Sequence, residues 1–454
     1  METWDALVLG AGQSGVPLAV ALAQAGRRTA LVERDQVGGT CVNVGCTPTK
    51  TLVASARVAA LARRAADYGI HTGRPSAHWL EVRDREQRVV HQFRAGGERR
   101  LREAGVTLLR GSARFVGPGR LAIQERTGRF EEHSAAQIFI NVGGRPTRPR
   151  LPGLDSVPAL DSSSILTVET LPEHLLILGG GYVCLEFGQI FRRLGSRVCI
   201  VEQAERLLSQ EDTDVSDALR SLLEEDGVEL HFGARAEWVE RVGLAIRLHF
   251  ADTAVEGTAL LLAVGRTPNT EGLNCAAAGI ELDGRGFIRV DDRLRTTAEG
   301  VFATGDVTGA PAFTHVSYDD FRVLRGELLG GEKRPTVGRL IPYTLFTDPQ
   351  LGRVGLTETQ ARDQGLPIRV AKLPMTSVAR AIESDETRGF LKAVVHAKTE
   401  QILGFSALGF EGGELASLVQ VAMMGQLPYP VLREAIFPHP GLAESLNNLF
   451  SSWV

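Results

Sequence analysis

Two cysteines, Cys41 and Cys46, are the side chains of this sequence best able to carry out covalent chemistry, and four residues separate them in the stretch Gly38-Gly39-Thr40-Cys41-Val42-Asn43-Val44-Gly45-Cys46-Thr47-Pro48-Thr49-Lys50. The apolar, alanine-rich period from Thr51 to Ala66 predicts a helix, with Cys46 at or near its N-terminus and Pro48 in its first turn. The partial positive charge of a helix N-terminus stabilises a thiolate, which lowers a thiol pKa from about 8.5. The spacing suits neither a zinc ribbon nor a Cys-x-x-Cys motif, and no second Cys/His cluster is available to complete a metal site. Five cysteines are few and odd in number for this length, which argues against a secreted disulfide framework and for a reducing cytoplasm. In that setting a close pair reads as chemistry, with a structural disulfide or two unlinked thiols as the blander alternatives. Cys184, Cys199 and Cys275 read as small buried hydrophobes.

The elements that must position the pair begin just before it. An apolar run from Ala6 to Leu9 is followed by Gly10, Gly12 and Gly15, a helical pattern from Val16 to Ala25, and a strand from Thr29 to Val32 that ends in Glu33. The same grammar returns at Leu175 to Leu178, Gly179 to Gly181, a helix around Leu185 to Leu194, and a strand from Arg197 to Val201 that ends in Glu202. In both units the acid stands 23 positions after the first glycine. A Gly-x-Gly-x-x-Gly turn lets a pyrophosphate approach the backbone at a helix N-terminus, and the acid at the next strand end accepts hydrogen bonds from a ribose. One such turn alone is a weak signal; the repeated spacing predicts two dinucleotide-binding folds. Cys184 replaces the third glycine of the second turn, so its helix is expected to pack slightly farther from the sheet. Glu202 would repel a 2'-phosphate, which predicts NADH rather than NADPH.

Between the units, Leu101 to Ile123 and Phe139 to Gly143 read as strands, and Pro146, Pro149, Pro152 and Gly153 mark a crossover. A third glycine-acid signal, Gly300-Val301-Phe302-Ala303-Thr304-Gly305-Asp306, precedes a linker from Gly330 to Pro335. The remainder has a strand-like stretch at Phe390 to His396 and a helical pattern from Glu414 to Met424. With 454 residues and 43% hydrophobic content the chain can bury several cores, and roughly 150 residues per domain implies about three domains. The net charge of −4 gives no basic field for nucleic acid, so the arginines of Arg57 to Arg64 and Arg94 to Arg102 read as wet helix faces. No apolar run reaches the roughly 18 residues of a membrane span, and cleavage of a signal peptide would destroy the first motif.

These motifs together resemble the FAD-containing pyridine nucleotide-disulfide oxidoreductase family, which includes dihydrolipoamide dehydrogenase, glutathione reductase and mercuric reductase, along essentially the whole chain. The resemblance implies an α/β protein with two Rossmann-like dinucleotide-binding domains and an α+β C-terminal dimerisation domain. It places an FAD-binding domain with a redox disulfide at 1–153, an NAD(P)H-binding domain at 154–269, a return segment of the FAD domain at 270–334 and an interface domain at 335–454. Gly10, Gly12, Gly15 and Glu33, with Gly39, Thr40 and Lys50, would bind FAD. Gly179, Gly181, Glu202 and Gly265 would bind the nicotinamide nucleotide, and Gly305 and Asp306 the flavin ribityl and phosphate. Cys46 would be the thiol that stacks on the flavin, and Cys41 the interchange thiol. Lys50 would lie near flavin N5, paired with Glu186. The run Phe437-Pro438-His439-Pro440 followed by Glu444 matches the family's His-Glu pair, which projects into the partner subunit's active site and shuttles a proton; a homodimer is implied.

Departures narrow the subfamily. A terminal cysteine pair of the mercuric reductase kind is missing from the ending Ser451-Ser452-Trp453-Val454, and an N-terminal metal-binding domain is not found. Thr47, Thr49 and Asn141-Val142-Gly143 differ from the usual words of dihydrolipoamide dehydrogenase. The run from Pro48 to Leu52 and the tail from Leu427 to Phe450 resemble bacterial copper(II) reductases of reactive-chlorine resistance. The expected activity is electron transfer from NAD(P)H through FAD and a Cys41–Cys46 disulfide to a metal ion such as Cu(II) or Hg(II), or to a small disulfide, with no permanent metal site. A lipoamide oxidoreductase is the alternative within the family. A redox sensor or slow subunit of a larger complex is the alternative outside it.

Overall fold

The first glycine turn follows a strand whose last four residues, Ala6 to Leu9, are all apolar and buried, because a parallel strand covered on both faces needs no polar alternation. In the computed structural model, which describes residues 1–125 and 127–454, this unit is β1 (Glu2–Leu9), α1 (Gly15–Gln24) and β2 (Thr29–Glu33). The redox segment follows as α2 (Gly39–Val44) and α3 (Cys46–Arg63), and then come α4 (Trp79–Glu103), β3 (Thr107–Gly117), β4 (Arg120–Glu125) and β5 (Phe130–Ile140). β1 pairs in parallel with β2 on one side and with β5 on the other, and a strand from Val301–Ala303 returns to pair in parallel with β5. The strand expected from Leu101 begins only at Thr107. Leu101 belongs instead to α4, whose buried Trp79, Glu86, Val90, Gly97 and Leu101 follow the spacing of one helix face.

The second unit is a five-stranded parallel sheet. β6 (Gly144–Pro146) leads into it, followed by β7 (Ala159–Asp161), β8 (His174–Leu178), α5 (Tyr182–Leu194), β9 (Arg197–Val201), α6 (Thr213–Glu225) and β10 (Glu229–His231). A three-stranded antiparallel ribbon, β11 (Ala236–Val242), β12 (Ala245–Phe250) and β13 (Thr253–Gly257), precedes β14 (Ala259–Leu262), and β15 (Arg266–Pro268) pairs antiparallel with β6 where the chain leaves again. The sheet order is β10-β9-β8-β14-β7. The chain then forms β16 (Val301–Ala303) and α7 (Thr314–Leu329).

The C-terminal part is an antiparallel sheet, with helices packed on it. It contains β17 (Tyr343–Leu345), β18 (Gln350–Gly355), α8 (Glu358–Asp363), β19 (Ile368–Pro374), α9 (Ala379–Glu383), β20 (Phe390–His396), β21 (Ile402–Gly409), α10 (Gly412–Met424), α11 (Tyr429–Arg433) and α12 (Ser445–Leu449), in sheet order β17-β18-β21-β20-β19. The expected class, two α/β nucleotide folds and an α+β domain, is borne out. Among the described residues no helix is long and apolar enough to cross a membrane.

One core joins the three parts. Leu52 and Ala56 of α3 pack in the same cluster as Leu185, Phe187 and Phe191 of α5 and Leu345, Leu351, Phe390 and Leu408 of the C-terminal sheet. The arginines read as a wet face serve that junction instead. Arg57 pairs with Asp348 and Glu411, Arg63 donates to the Arg193 carbonyl, and Arg64 pairs with Asp385. A helix clamped between two domains keeps its charged heads for the rims of the contact, where their apolar stems can still pack.

Candidate functional site

Cys41 and Cys46 come together because the chain folds back on itself at Gly45. That residue has φ −132° and ψ −118°, and a Cβ on it would stand 2.8 Å from the Thr40 carbonyl oxygen, so a side chain would force α2 and α3 apart. The fold-back sets Cys41, in the first turn of α2, beside Cys46, the first residue of α3. α2 itself was not foreseen; six residues are too few to show a period.

The structure presents the pair as two free thiols that hydrogen-bond to each other. Their environments push them apart. The hydrogen bond from Cys41 is the largest influence on Cys46, followed by the opposing effect of burial, then by the Thr314 hydroxyl at 3.1 Å and the Lys50 charge, and the net result lowers its pKa to about 6. Cys41 is driven strongly upward, first by donating that hydrogen bond and then by burial. One member is thus a thiolate at neutral pH and the other a proton-bearing thiol. Alkylation of the reduced protein by iodoacetamide should therefore rise with pH through about 6 for Cys46 and stay flat above it. Thr314→Val should move that midpoint upward; an unchanged midpoint would remove Thr314 from the account. Thr314 escapes sequence reading because it lies 268 positions from its partner, in no motif.

Lys50, one turn into α3, extends to Glu186 on α5, with Nζ to Oε2 at 2.7 Å. The other oxygen, Oε1, accepts the Phe346 backbone N–H at 2.9 Å, and the Lys50 ammonium lies 4.9 Å from the Phe346 ring centroid. Glu186 is buried, so both its oxygens are satisfied and its side chain is held in one geometry. The ion pair crosses from one nucleotide unit to the other through the shared core.

Gly10, Gly12, Gly15, Gly39, Thr40, Gly305 and Asp306 converge at the first turn. A Cβ on Gly15 would sit 2.1 Å from the Gly10 carbonyl oxygen, and the Cβ of any residue replacing Gly39 would reach within 2.8 Å of the Gly12 Cα. Arg266 joins the far side, with Nε 3.4 Å from Asp306 Oδ2. Asn141, which sequence reading marked only as a departure, fastens the turn: its Oδ1 accepts the Gly15 N–H at 3.0 Å, and its Nδ2 donates to the Thr304 carbonyl at 3.0 Å. Glu33 accepts the Ala11 and Asp35 amides at 2.8 Å, one on each oxygen, which orients the carboxylate and leaves it lone pairs for a ribose. The buried Ser14 hydroxyl, at the N-cap of α1, has no partner among the described residues. An orphaned hydroxyl in a glycine turn that leads into a helix N-terminus fits the pyrophosphate of a dinucleotide.

The second turn is built alike but packs differently. Apart from its chain neighbours, no described residue has a heavy atom within 4 Å of a Cβ placed on Gly181, so the backbone there is open to a ligand, and Glu202 is oriented by the Ala204 amide at 2.7 Å. Cys184 is fully buried, and one turn further along α5 a Cβ placed on Gly188 would meet the Ile200 side chain at 3.2 Å. Gly265 turns with φ +110° at the end of the same sheet.

His439 stands apart from this centre. Its Nδ1 is 2.9 Å from Glu444 Oε2, its side chain is 70% exposed, and no hydrogen bond or ion pair among the described residues joins it to Cys41 or Cys46. The carboxylate holds the ring through Nδ1 and leaves Nε2 with no hydrogen bond to another described residue.

Comparison with known proteins gives a consistent answer over this geometry. The family model for pyridine nucleotide-disulphide oxidoreductases matches residues 4–320, and the model for their dimerisation domain matches residues 341–450. The chain is 39% identical to the probable pyridine nucleotide-disulfide oxidoreductase RclA of Escherichia coli, covering 99% of both chains. A solved structure described as the Cu(II) complex of HOCl-induced flavoprotein disulfide reductase RclA superposes with a TM-score of 0.93 over 99% of each chain. A mercuric reductase of Bacillus cereus is 32% identical over 98% of this chain and 70% of its own length, and a dihydrolipoyl dehydrogenase of Chlamydia muridarum is 32% identical over 98% and 95%.

Proposed function

The chain belongs to the pyridine nucleotide-disulphide oxidoreductase family, and from that premise we propose that it reduces an oxidised metal ion, Cu(II) foremost, at the Cys41–Cys46 pair. Enzymes of this family are flavoproteins that pass electrons from a pyridine nucleotide through FAD and a disulfide, and the chain carries their dimerisation domain. The observation that carries the proposal is the meeting of Cys41 and Cys46 where α2 turns into α3, with the Thr314 hydroxyl 3.1 Å from the Cys46 sulfur and Lys50 fixed to Glu186 at 2.7 Å, surroundings that lower the Cys46 thiol and raise that of Cys41. The likeness to a protein described as a Cu(II) complex supports copper over other metals, with Hg(II) or a small disulfide as further acceptors.

Bound FAD supplies hydride acceptance from the nicotinamide and release of two electrons to a disulfide. The residues proposed to hold it are Gly10, Gly12, Gly15, Glu33, Gly39, Thr40, Gly305 and Asp306. Gly179, Gly181, Glu202 and Gly265 would hold the nucleotide. Lys50, fixed by Glu186, would keep a cation at the flavin side of α3. Thr314 and the α3 terminus would hold Cys46 as a thiolate, while Cys41 would face the acceptor and carry the proton. Oxidation of the pair to a disulfide yields two electrons, enough to reduce two Cu(II) to Cu(I) or one disulfide to two thiols. Thiolates are fitting transient ligands for a soft metal.

The strand partners support the division at 153, 269 and 334: β7 to β10 and β14 build the second sheet, β16 returns to the first, and β17 to β21 build the C-terminal one. The few cysteines support a reducing cytoplasm as the site of action. The His439–Glu444 contact favours a second reading, lipoamide oxidoreductase, because a disulfide reduced to two thiols takes up two protons with its two electrons and so needs a proton shuttle.

NADH consumption by the purified flavoprotein should be fastest with Cu(II) in a panel that also holds Hg(II), lipoamide and glutathione disulfide. Fastest turnover with lipoamide would replace the copper reading. Rates no higher than the oxygen background throughout would make the protein a sensor. Glu202 predicts a KM for NADH at least roughly tenfold below that for NADPH, with the gap narrowed in Glu202→Ala; a lower KM for NADPH would refute this role.

A further inference from the structure

Outside the redox centre, three side chains with different metal-ligating atoms meet at the edge of the second sheet. Cys199 lies on β9, and Glu229 and His231 lie on the neighbouring edge strand β10. The strands pair in parallel, with Glu229 opposite Cys199 and His231 opposite Val201. Side chains alternate along a strand, so this register brings Cys199, Glu229 and His231 to the same face. Their sulfur, oxygen and nitrogen atoms all lie within 4.8 Å of one another, against about 3.5 Å between neighbouring donors around a tetrahedral zinc.

We propose that Cys199, Glu229 and His231 form a binding site for a borderline-soft divalent cation of the zinc class, with a fourth position open to water. Thiolate, imidazole and carboxylate are the mixture such an ion accepts, whereas a hard ion would not take the sulfur. The site is built for access from one side, because Cys199 is buried, His231 half-buried and Glu229 exposed. His231 is oriented by the Phe250 ring, 5.2 Å from its own, and by a 2.7 Å contact between its Nε2 and Glu229 Oε1. A cation would replace the proton shared there, and the exposed Glu229 side chain is free to open that short contact. On cation binding the Cys199 S–H bond breaks, its proton goes to solvent, and a sulfur–metal bond forms with no change of oxidation state. The His231 carbonyl accepts the Glu202 N–H at 2.9 Å, so the site lies back to back with the nucleotide-binding acid while sharing no ligand with it.

The test uses the FAD-loaded homodimer, with Cys41→Ser and Cys46→Ser to remove competing thiols, dialysed against Zn(II). One zinc per subunit is expected, with the affinity lowered at least tenfold by His231→Ala or Cys199→Ser and less by Glu229→Gln. Co(II) should give a thiolate-to-metal absorption, read against the metal-free flavoprotein, that disappears in Cys199→Ser. FAD content reports folding of each variant, and the exposed Glu229→Gln serves where a strand variant fails to fold. Zinc affinity unchanged in Glu229→Gln and His231→Ala, absence of zinc from the parent, or Co(II) absorption independent of Cys199 would each overturn the assignment.

Discussion

Replacing Cys46 with serine is expected to lower turnover with Cu(II) or a disulfide by on the order of 10³-fold or more, while flavin reduction by NADH stays within about twofold of the parent rate. The split follows from where the side chain acts. Hydride acceptance needs the two nucleotide cradles and the Lys50–Glu186 pair, none of which contains Cys46. Delivery to the acceptor needs a disulfide that serine cannot form and a thiolate that its hydroxyl cannot imitate. Cys41→Ser should cost a similar factor, and the double variant should be no worse than either single one, because residues acting as one unit are not additive. Stopped-flow reduction by NADH and steady-state Cu(II) turnover separate the two halves. Cu(II) turnover in Cys46→Ser above about a tenth of the parent would mean that the metal takes electrons without passing through the pair.

The same physics explains what could be read in advance. Both glycine turns and their acids were legible because a strand, a tight turn, a helix and a strand occupy a fixed, local span, so Gly10 to Glu33 and Gly179 to Glu202 repeat one offset. The helix behind Cys46 was legible for the same reason. Contacts between units were not. Thr314 reaches Cys46 across 268 positions, and Asn141 ties Gly15 to Thr304, neither within any period. The pairing of Lys50 with Glu186 was foreseen from family resemblance rather than from composition. The arginines of α3 misled because a charged run has the same pattern whether its faces meet water or the rim of another domain; only the partners Asp348, Glu411 and Asp385 decide. The Cys199, Glu229 and His231 group was invisible for a related reason, since parallel pairing brings together side chains about thirty positions apart.

Replacing His439 with alanine is expected to lower disulfide turnover by about 10²- to 10⁴-fold, the range of a lost acid-base group, and again to spare flavin reduction by NADH. Cu(II) turnover should fall less, because a metal acceptor takes electrons without taking protons. The geometry that argues for this is the ring fixed to Glu444 at 2.9 Å through Nδ1, on a side chain that is 70% exposed and, among the described residues, makes no hydrogen bond or ion pair with the cysteines of its own chain. A proton shuttle so placed is useful only if it enters the active site of a second subunit. That makes a sharper test than the single variant. In a two-fold symmetric dimer each site would combine the cysteines of one chain with the histidine of the other. A heterodimer of Cys46→Ser and His439→Ala chains then holds one site with both defects and one with neither. Mixing the two inactive parents under conditions that exchange subunits should restore disulfide turnover, to about half the parental value per heterodimer. Were the histidine to serve its own chain, each site of the heterodimer would carry one defect, and the mixture would stay as inactive as its parents.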